Sequence, residues 1–326
     1  MSVHSKGIRR SAGSLITRIK ESLPLLAADE QTRLSWLKVV RSYAEAPEVY
    51  RSSFTALVGD RPFPYTVLTP SFAGFMNREP EKLVCYLDGK IYVWEEVTGG
   101  LSCIGYAIKD ISYVEVGKAL LQAWVKISGL ADNGRPSSAE FKFNTTTDYL
   151  FTPIVNKIRS APDDAPEIDP NPERSKFNYL NRTNLKLTNY AKRSLLLDET
   201  VEAIILQPEI RDELIKLFGN ALFRTVCLAH LSILTDRELI LIQDGTGQRW
   251  GGDIRYGGVW HYVPLDKITT IALTGPADNL LTMSVQLPES DNLTALFSVS
   301  NQQEVDNFLR QIAALRAGEN PWANGE

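Results

Sequence analysis

Histidine and cysteine are scarce in this sequence, and most catalytic and metal-binding signatures are absent with them. Three histidines and three cysteines are spread over 326 residues. Cys85, Cys103 and Cys227 form no C-x-x-C pair, so neither a zinc site nor a disulfide framework is expected. A reducing, cytoplasmic setting is the expectation that follows. No H-E-x-x-H, G-x-S-x-G or G-x-x-x-x-G-K-[ST] run occurs, which removes the common signatures of metalloproteases, hydrolases and nucleotide-phosphate loops. No run approaches the roughly eighteen apolar residues of a membrane helix. Charge of one sign is also lacking. A formal net charge of −4 gives no global attraction to nucleic acid or to an anionic membrane.

What is present is an alternation that occurs twice. Residues 82–128 are rich in strand signals, with Leu121, Ala123, Val125 and Ile127 sharing one face and Ala139, Phe141 and Phe143 following after the turn signal at Asn133-Gly134. Phe151, Ile154, Val155 and Ile158 then fall at the spacing of one helix face. The second half repeats the order. "LSILTDRELILI" parallels "VCYLDGKIYVW", and "WHYVPLDKITTIAL" parallels "IGYAIKDISYVEV". Leu281, Met283, Val285 and Leu287 alternate, Ala295, Phe297 and Val299 follow, and Val305, Phe308, Leu309 and Ile312 repeat the helix spacing. Tandem domains from an internal duplication are the natural reading.

Around the repeats, residues 1–60 are expected to be helical, with Leu34, Leu37, Val40 and Tyr43 on one stripe. Residues 61–160 form the first domain. Residues 161–180 read as a linker, because Pro162, Pro166, Pro170 and Pro172 stand among acidic residues. Residues 181–318 form the second domain, and 319–326 a tail. "PEIRDELIKLFGNAL" is a further helix candidate, and Pro153 implies a late start or a kink in the first closing helix.

Short strands closed by one amphipathic helix, with the "TD-x-x-hydrophobic" strand entry at Thr235 and the "Y-V-P-L-x-K-I" run at Tyr262, resemble the pleckstrin-homology-like superfold in its bacterial, GRAM-like branch. The resemblance covers residues 190–316, and residues 61–160 by parallel with them. It implies an α+β fold of two tandem, partly open β-barrels, each closed by a C-terminal helix. It implies a binding style and names no ligand.

The glycine-rich stretch from Asp244 to Tyr262 lacks the third glycine of a dinucleotide fingerprint and is followed by a strand. It reads as an enlarged hairpin connection in which glycines supply positive φ. Arg249, Trp250, Arg255, Tyr256 and Trp260 are its candidate contact residues. The basic spacing of inositol-phosphate-binding pleckstrin-homology hairpins is missing from Arg237, Arg249 and Arg255, and Glu95 and Glu96 make the first hairpin acidic. Phe177 and Tyr179 lie in a basic segment, "RSKFNYLNRTNLKLTNYAKR", whose place beside the linker favours packing over single-strand binding. Met1 to Lys20 carries Arg9, Arg10, Arg18 and Lys20 with no acid. It reads as a solvated tail, or alternatively as a contact with anionic lipid or a transit-peptide-like segment.

Cys227, His230 and Asp236 suggest a triad on paper, but strand alternation is expected to turn Cys227 and His230 to opposite faces. The expectation is a non-catalytic protein without metal or cofactor. It would bind a protein partner or a second copy of itself through sheet edges and the exposed hairpin, with an anionic membrane surface as the alternative and nucleic acid not expected.

Overall fold

A computed structural model of the chain describes residues 34–73, 78–160, 171–217, 220–245 and 256–318. The fold is α+β, and every strand pair is antiparallel. No sheet closes on itself among the described residues.

The first half starts with β1 (Lys38–Val40), α1 (Glu48–Val58) and β2 (Thr66–Leu68). A two-residue pair, β3 (Phe72–Ala73) and β4 (Arg78–Glu79), precedes β5 (Lys82–Leu87), β6 (Lys90–Val97) and β7 (Gly100–Ala107). These form a sheet in the order β1-β2-β5-β6-β7. A 3-10 turn over Ile108–Asp110 leads to β8 (Ile111–Ala119), β9 (Gln122–Leu130), β10 (Pro136–Asn144) and the closing helix α2 (Thr152–Ile158).

The second half repeats this order. Helix α3 (Leu185–Ser194) precedes β11 (Val201–Gln207), then a long hairpin of β12 (Ile210–Leu217) and β13 (Asn220–Cys227). After β14 (His230–Thr235), β15 (Glu238–Asp244) and β16 (Gly257–Pro264), a 3-10 turn over Leu265–Lys267 matches the one at Ile108–Asp110. β17 (Thr270–Ala277), β18 (Leu280–Gln286) and β19 (Leu293–Ser298) form a three-stranded sheet, covered by α4 (Gln302–Arg316).

Local chemistry explains these elements. Helix α1 buries Tyr50, Phe54 and Val58 one turn apart, and Gly59 with φ 59° ends it. Pro153 stands in the first turn of α2, so that helix starts late and does not kink. The Thr235-Asp236 pair makes the β14–β15 turn. Thr235 Oγ1 accepts from the Glu238 amide at 3.0 Å, and Asp236 Oδ1 accepts from the Thr200 amide at 2.9 Å.

Two helix expectations fail. Lys38–Val40 is a strand on β2, because β-branched Val39 and Val40 pair with Val67 and Thr66 and Pro47 separates this run from α1. The "PEIRDELIKLFGNAL" run is the β12–β13 hairpin, where cross-strand pairing from Ile210↔Cys227 to Leu217↔Asn220 overrides helix propensity. The linker is also shorter than expected. Pro172–Arg182 is a packed 3-10 helix that buries Phe177 and Leu180, and its N-cap Asn171 donates from Nδ2 to the Leu196 and Glu199 carbonyls at 2.7 Å. The remainder of the linker, the tail at 319–326 and Met1 to Lys20 lie outside the described residues.

One junction makes the halves a single body. β8 pairs with β16 from Ala119↔Gly257 to Val114↔Tyr262, which creates a seven-stranded sheet in the order β10-β9-β8-β16-β15-β14-β11. Gly257 allows the approach, since a Cβ there would sit 1.9 Å from the Lys118 carbonyl oxygen. Behind this seam Arg159, just past α2, enters the second half. Its guanidinium bonds Glu238 and the Ser194 carbonyl (2.7 Å), lies 3.5 Å from Glu199, and stacks 3.8 Å over the Tyr262 ring. All three charged groups are buried. Two carboxylates face one guanidinium, and burial, with the negative Glu238 beside it, pushes the Glu199 carboxyl up to about 8 despite the opposing pull of Arg159.

Two tests follow from this junction. Gly100 opens β7 with φ 142°, as Gly257 opens β16 with φ 149°, but nothing lies within 4 Å of a Cβ at Gly100. Gly257→Ala is therefore expected to destabilise the chain by about 1–3 kcal/mol more than Gly100→Ala in urea unfolding, the excess being overpacking at the seam. Glu199 carries a proton in the folded chain that an unfolded glutamate releases near 4.5. Its contribution is complete below that value and lost as pH rises through about 8, with a slope of up to about 1.4 kcal/mol per pH unit. Urea midpoints measured from pH 6.5 to 8 should fall for the wild type and flatten in Glu199→Gln; equal slopes would refute the assignment.

Candidate functional site

One cleft among the described residues belongs to the second half alone. It has a volume of about 850 Å3 and lies between the β13 arm (Phe223 to Cys227), the face of β15 and β16 at Leu241, Gln243 and His261, and the start of β19 at Leu293 to Leu296. Its walls combine aliphatic side chains with His230, His261, Asn292 and Thr294. The volume and mixed lining are those of a site for a small molecule or an inserted side chain.

His230 opens β14 at the wall of this cleft and is held from both sides. Its Nδ1 lies 3.2 Å from the Leu228 carbonyl, a bond in which the ring must donate. Nε2 then carries the lone pair, and it has no hydrogen-bond partner among the described residues. Phe297 packs edge-on against the ring, with centroids 4.9 Å apart. Burial lowers the His230 pKa to about 4, against the smaller opposing effect of the Leu228 bond. The imidazole is thus neutral at physiological pH.

Cys227 corrects the sequence-based expectation that it and His230 face apart. It ends β13 while His230 begins β14, so the alternation is broken between them at Leu228-Ala229 and Sγ lies 3.7 Å from Nδ1. The pair does not form an activated thiolate. Burial pushes the Cys227 thiol up to about 11, and its hydrogen is directed at the Leu228 and Leu296 carbonyls, at 3.3 and 3.5 Å. Asp236 sits past the other end of β14, about 20 Å along the strand, and bonds Thr200 instead. The paper triad does not assemble.

On the seam side, His261 Nε2 lies 3.4 Å from Glu115 Oε2, and Glu115 Oε1 accepts from Trp124 Nε1 at 2.6 Å. His261, Glu115 and Lys126 are registered across β16, β8 and β9, so one end of the cleft wall is fixed by the junction itself.

The candidate contact residues separate by burial. Tyr256, beside the start of β16, is 74% exposed, and Tyr179 is 62% exposed. Trp260 and Phe177 are buried. Trp260 points to the opposite sheet face from His261 and packs on Tyr190 with ring centroids 4.6 Å apart, and Phe177 anchors the 3-10 helix in the core. Both are corrected from surface anchors to core packing, Trp260 against Tyr190 of α3 and Phe177 as the apolar face of a polar 3-10 helix. Arg249, Trp250 and Arg255 lie outside the described residues, as do Arg9, Arg10, Arg18 and Lys20. The expected hairpin is shown at its stem, where Asp244 pairs with Gly258.

Phe223, which is 53% exposed at the cleft mouth, escaped the sequence reading because its segment read as a helix. Arg159, Glu199 and Glu238 escaped it because lone charges in apolar runs carry no spacing signal. Among the described residues no helix is long and apolar enough to cross a membrane, and no cluster of three or more metal-ligating side chains occurs. No protein-family model matches the chain, and no curated protein is similar to it in sequence.

The protonation state of His230 is directly measurable. Long-range proton–nitrogen spectra of 15N-histidine-labelled protein should show a neutral ring with bare Nε2 at pH 6, titrating only near pH 4. A midpoint above 6 would show that the ring is solvated.

Proposed function

We propose that the chain is a non-catalytic binding or scaffold protein built from two tandem pleckstrin-homology-like units of the GRAM-like type, and that the cleft of the second unit receives a protein partner or a second copy. Support for the units comes from the element order. Each half has a helix packed on a meander of strands, a 3-10 corner, a three-stranded meander and a closing helix. Support for binding comes from one asymmetry. The first half links β6 to β7 through Thr98 and Gly99 alone and has the two-residue strands β3 and β4. The second half replaces these with residues 245–256 and the seven-pair β12–β13 hairpin, and β13 and the strands on either side of the longer loop line the cleft.

Enlarged connections converging on one cleft in one copy of a repeat are the pattern of a scaffold with a specialised recognition end. Exposed Phe223 supplies an aromatic anchor at the cleft, and exposed Tyr256 a second beside the start of β16. A binding reading also suits the chemistry of the wall, because Cys227 is held as a thiol and the His230 Nδ1 hydrogen is committed to a carbonyl.

Crosslinked pull-down from the native host, with light scattering for self-association, tests the reading. Phe223→Ala with Tyr256→Ala should cut recovery of the specific partner, or the dimer constant, by roughly tenfold or more at unchanged melting temperature. Equal recovery and equal self-association in both proteins would reject the cleft as the contact site.

A further inference from the structure

A second pocket lies over the seam, on the sheet face opposite the cleft. Strand register sets its floor. Val125, Val116 and Trp260 stand side by side across β9, β8 and β16, and Ala123, Lys118 and Gly258 form the next row on the same face. Small groups therefore occupy the middle of this surface. Elements from different halves stand over it. Phe151, just ahead of α2, stacks on Phe143 of β10 with centroids 5.7 Å apart, and Tyr190 of α3 packs on Trp260 at 4.6 Å. Both aromatic pairs belong to the walls of a pocket of about 250 Å3. A cavity of about 150 Å3 admits a benzene ring, so this one admits a single ring with a short substituent.

The polar groups of the wall are unevenly matched. Lys118 is paired with Asp148. Arg159 commits Nε and Nη2 to Glu238 and the Ser194 carbonyl, while its Nη1 makes no hydrogen bond among the described residues. Ser194 directly follows Arg193, so the Arg159 guanidinium is drawn to the end of α3 at which Arg193 stands. Arg193 and Asn156 also line the pocket, and neither has a side-chain hydrogen bond or an ion pair among the described residues.

These groups give the pocket two different ends. Arg159 stacks on Tyr262, which pairs with Val114, and Val114 lies four residues, or about 13 Å, along β8 from Lys118. The Lys118 end is charge-neutral. At the other end Glu238 meets the charge of Arg159, so Arg193 is left as the uncompensated cation, with unused donors on Asn156 and Arg159 beside it. A planar apolar body suits the aromatic flanks. A carboxylate suits the guanidinium, whose fork of donors matches its two oxygens.

We infer that the seam pocket is a binding site for a small aryl carboxylate, with its ring over Val116 and Val125 and its carboxylate accepting from Arg193, Asn156 and Nη1 of Arg159. The site stands independently of the protein-binding reading. Because its walls come from both halves, an occupant also ties the halves together and stabilises the folded chain.

Titration of the full-length chain with phenylacetate, and with phenylacetamide as its uncharged counterpart, tests the inference. Calorimetry gives the affinity, and intermolecular NOEs to labelled alanine, valine and leucine methyls give the place. The expected result is one phenylacetate per chain, a raised melting temperature, and contacts to Ala123, Val116 and Val125. Replacing phenylacetate by phenylacetamide, or Arg193→Gln, should each weaken binding by about tenfold or more. Arg193 is exposed, so Arg193→Gln should leave the melting temperature of the unliganded chain unchanged. No binding at millimolar phenylacetate, equal affinity for the amide, or an unaltered constant in Arg193→Gln would each overturn the assignment. So would contacts to Leu241 and Leu293 of the cleft, or loss of binding in the Phe223→Ala, Tyr256→Ala protein, which keeps this outcome apart from that of the cleft.

Discussion

The pairing of β8 with β16 is the constraint on which the rest of the structure depends. Each is the strand at which its half passes from one meander to the next, and each would otherwise present a row of unpaired amides to solvent. Joined, they remove two edges and convert two small sheets into one long sheet with two working faces. One face carries Val125, Ile127, Ile240, Ile242 and Trp260 and packs with α2, α3 and the 3-10 helix. The other carries Leu239, Leu241 and Val263 into the core of the second half. Neither half can be removed without exposing the interior of its neighbour. The sheet edges that the sequence offers as contact surfaces are thus partly consumed inside the molecule.

The buried Arg159 cluster follows from this arrangement. A guanidinium taken from water is costly unless its charge and its donors are met, and here two carboxylates, a carbonyl and the Tyr262 face meet them. Hydrophobic packing alone would tolerate sliding of the halves along the seam. A fixed fork of donors does not, because a shift of one residue would leave a buried charge unpaired. The second carboxylate is accommodated by a proton, which keeps the cluster close to neutral in a low-dielectric site. The cluster therefore sets register, and its cost is contained by protonation of Glu199.

Much of the architecture was legible in residue order. Alternation at Ala123, Val125 and Ile127 and again at Leu281, Met283 and Val285 located corresponding strands, and the helix spacing of Phe151 and Val305 located both closing helices. The failures share a physical cause. Leu34 to Tyr43 and Ile210 to Leu217 contain good helix formers, yet each lies beside a strand with free hydrogen-bonding groups, and pairing decided the outcome. Phe177 and Trp260 read as surface aromatics because the core that buries them is assembled from segments far apart in the chain. Cys227 and His230 were placed on opposite faces because the break at Leu228-Ala229 leaves no mark in composition.

The two halves differ in how their strands are connected. The first half keeps short connections around its strands and contributes Arg159 and β8 to the junction. The second carries the long β12–β13 hairpin, the glycine-rich connection and the cleft. Long loops are tolerated only where a rigid frame holds their ends, because their own closure contributes little ordering. His261 shows the coupling in a single residue. It lines the cleft, and its Nε2 reaches Glu115, which belongs to the first half and is itself fixed by Trp124. A contact from the first half thus braces one wall of the cleft in the second.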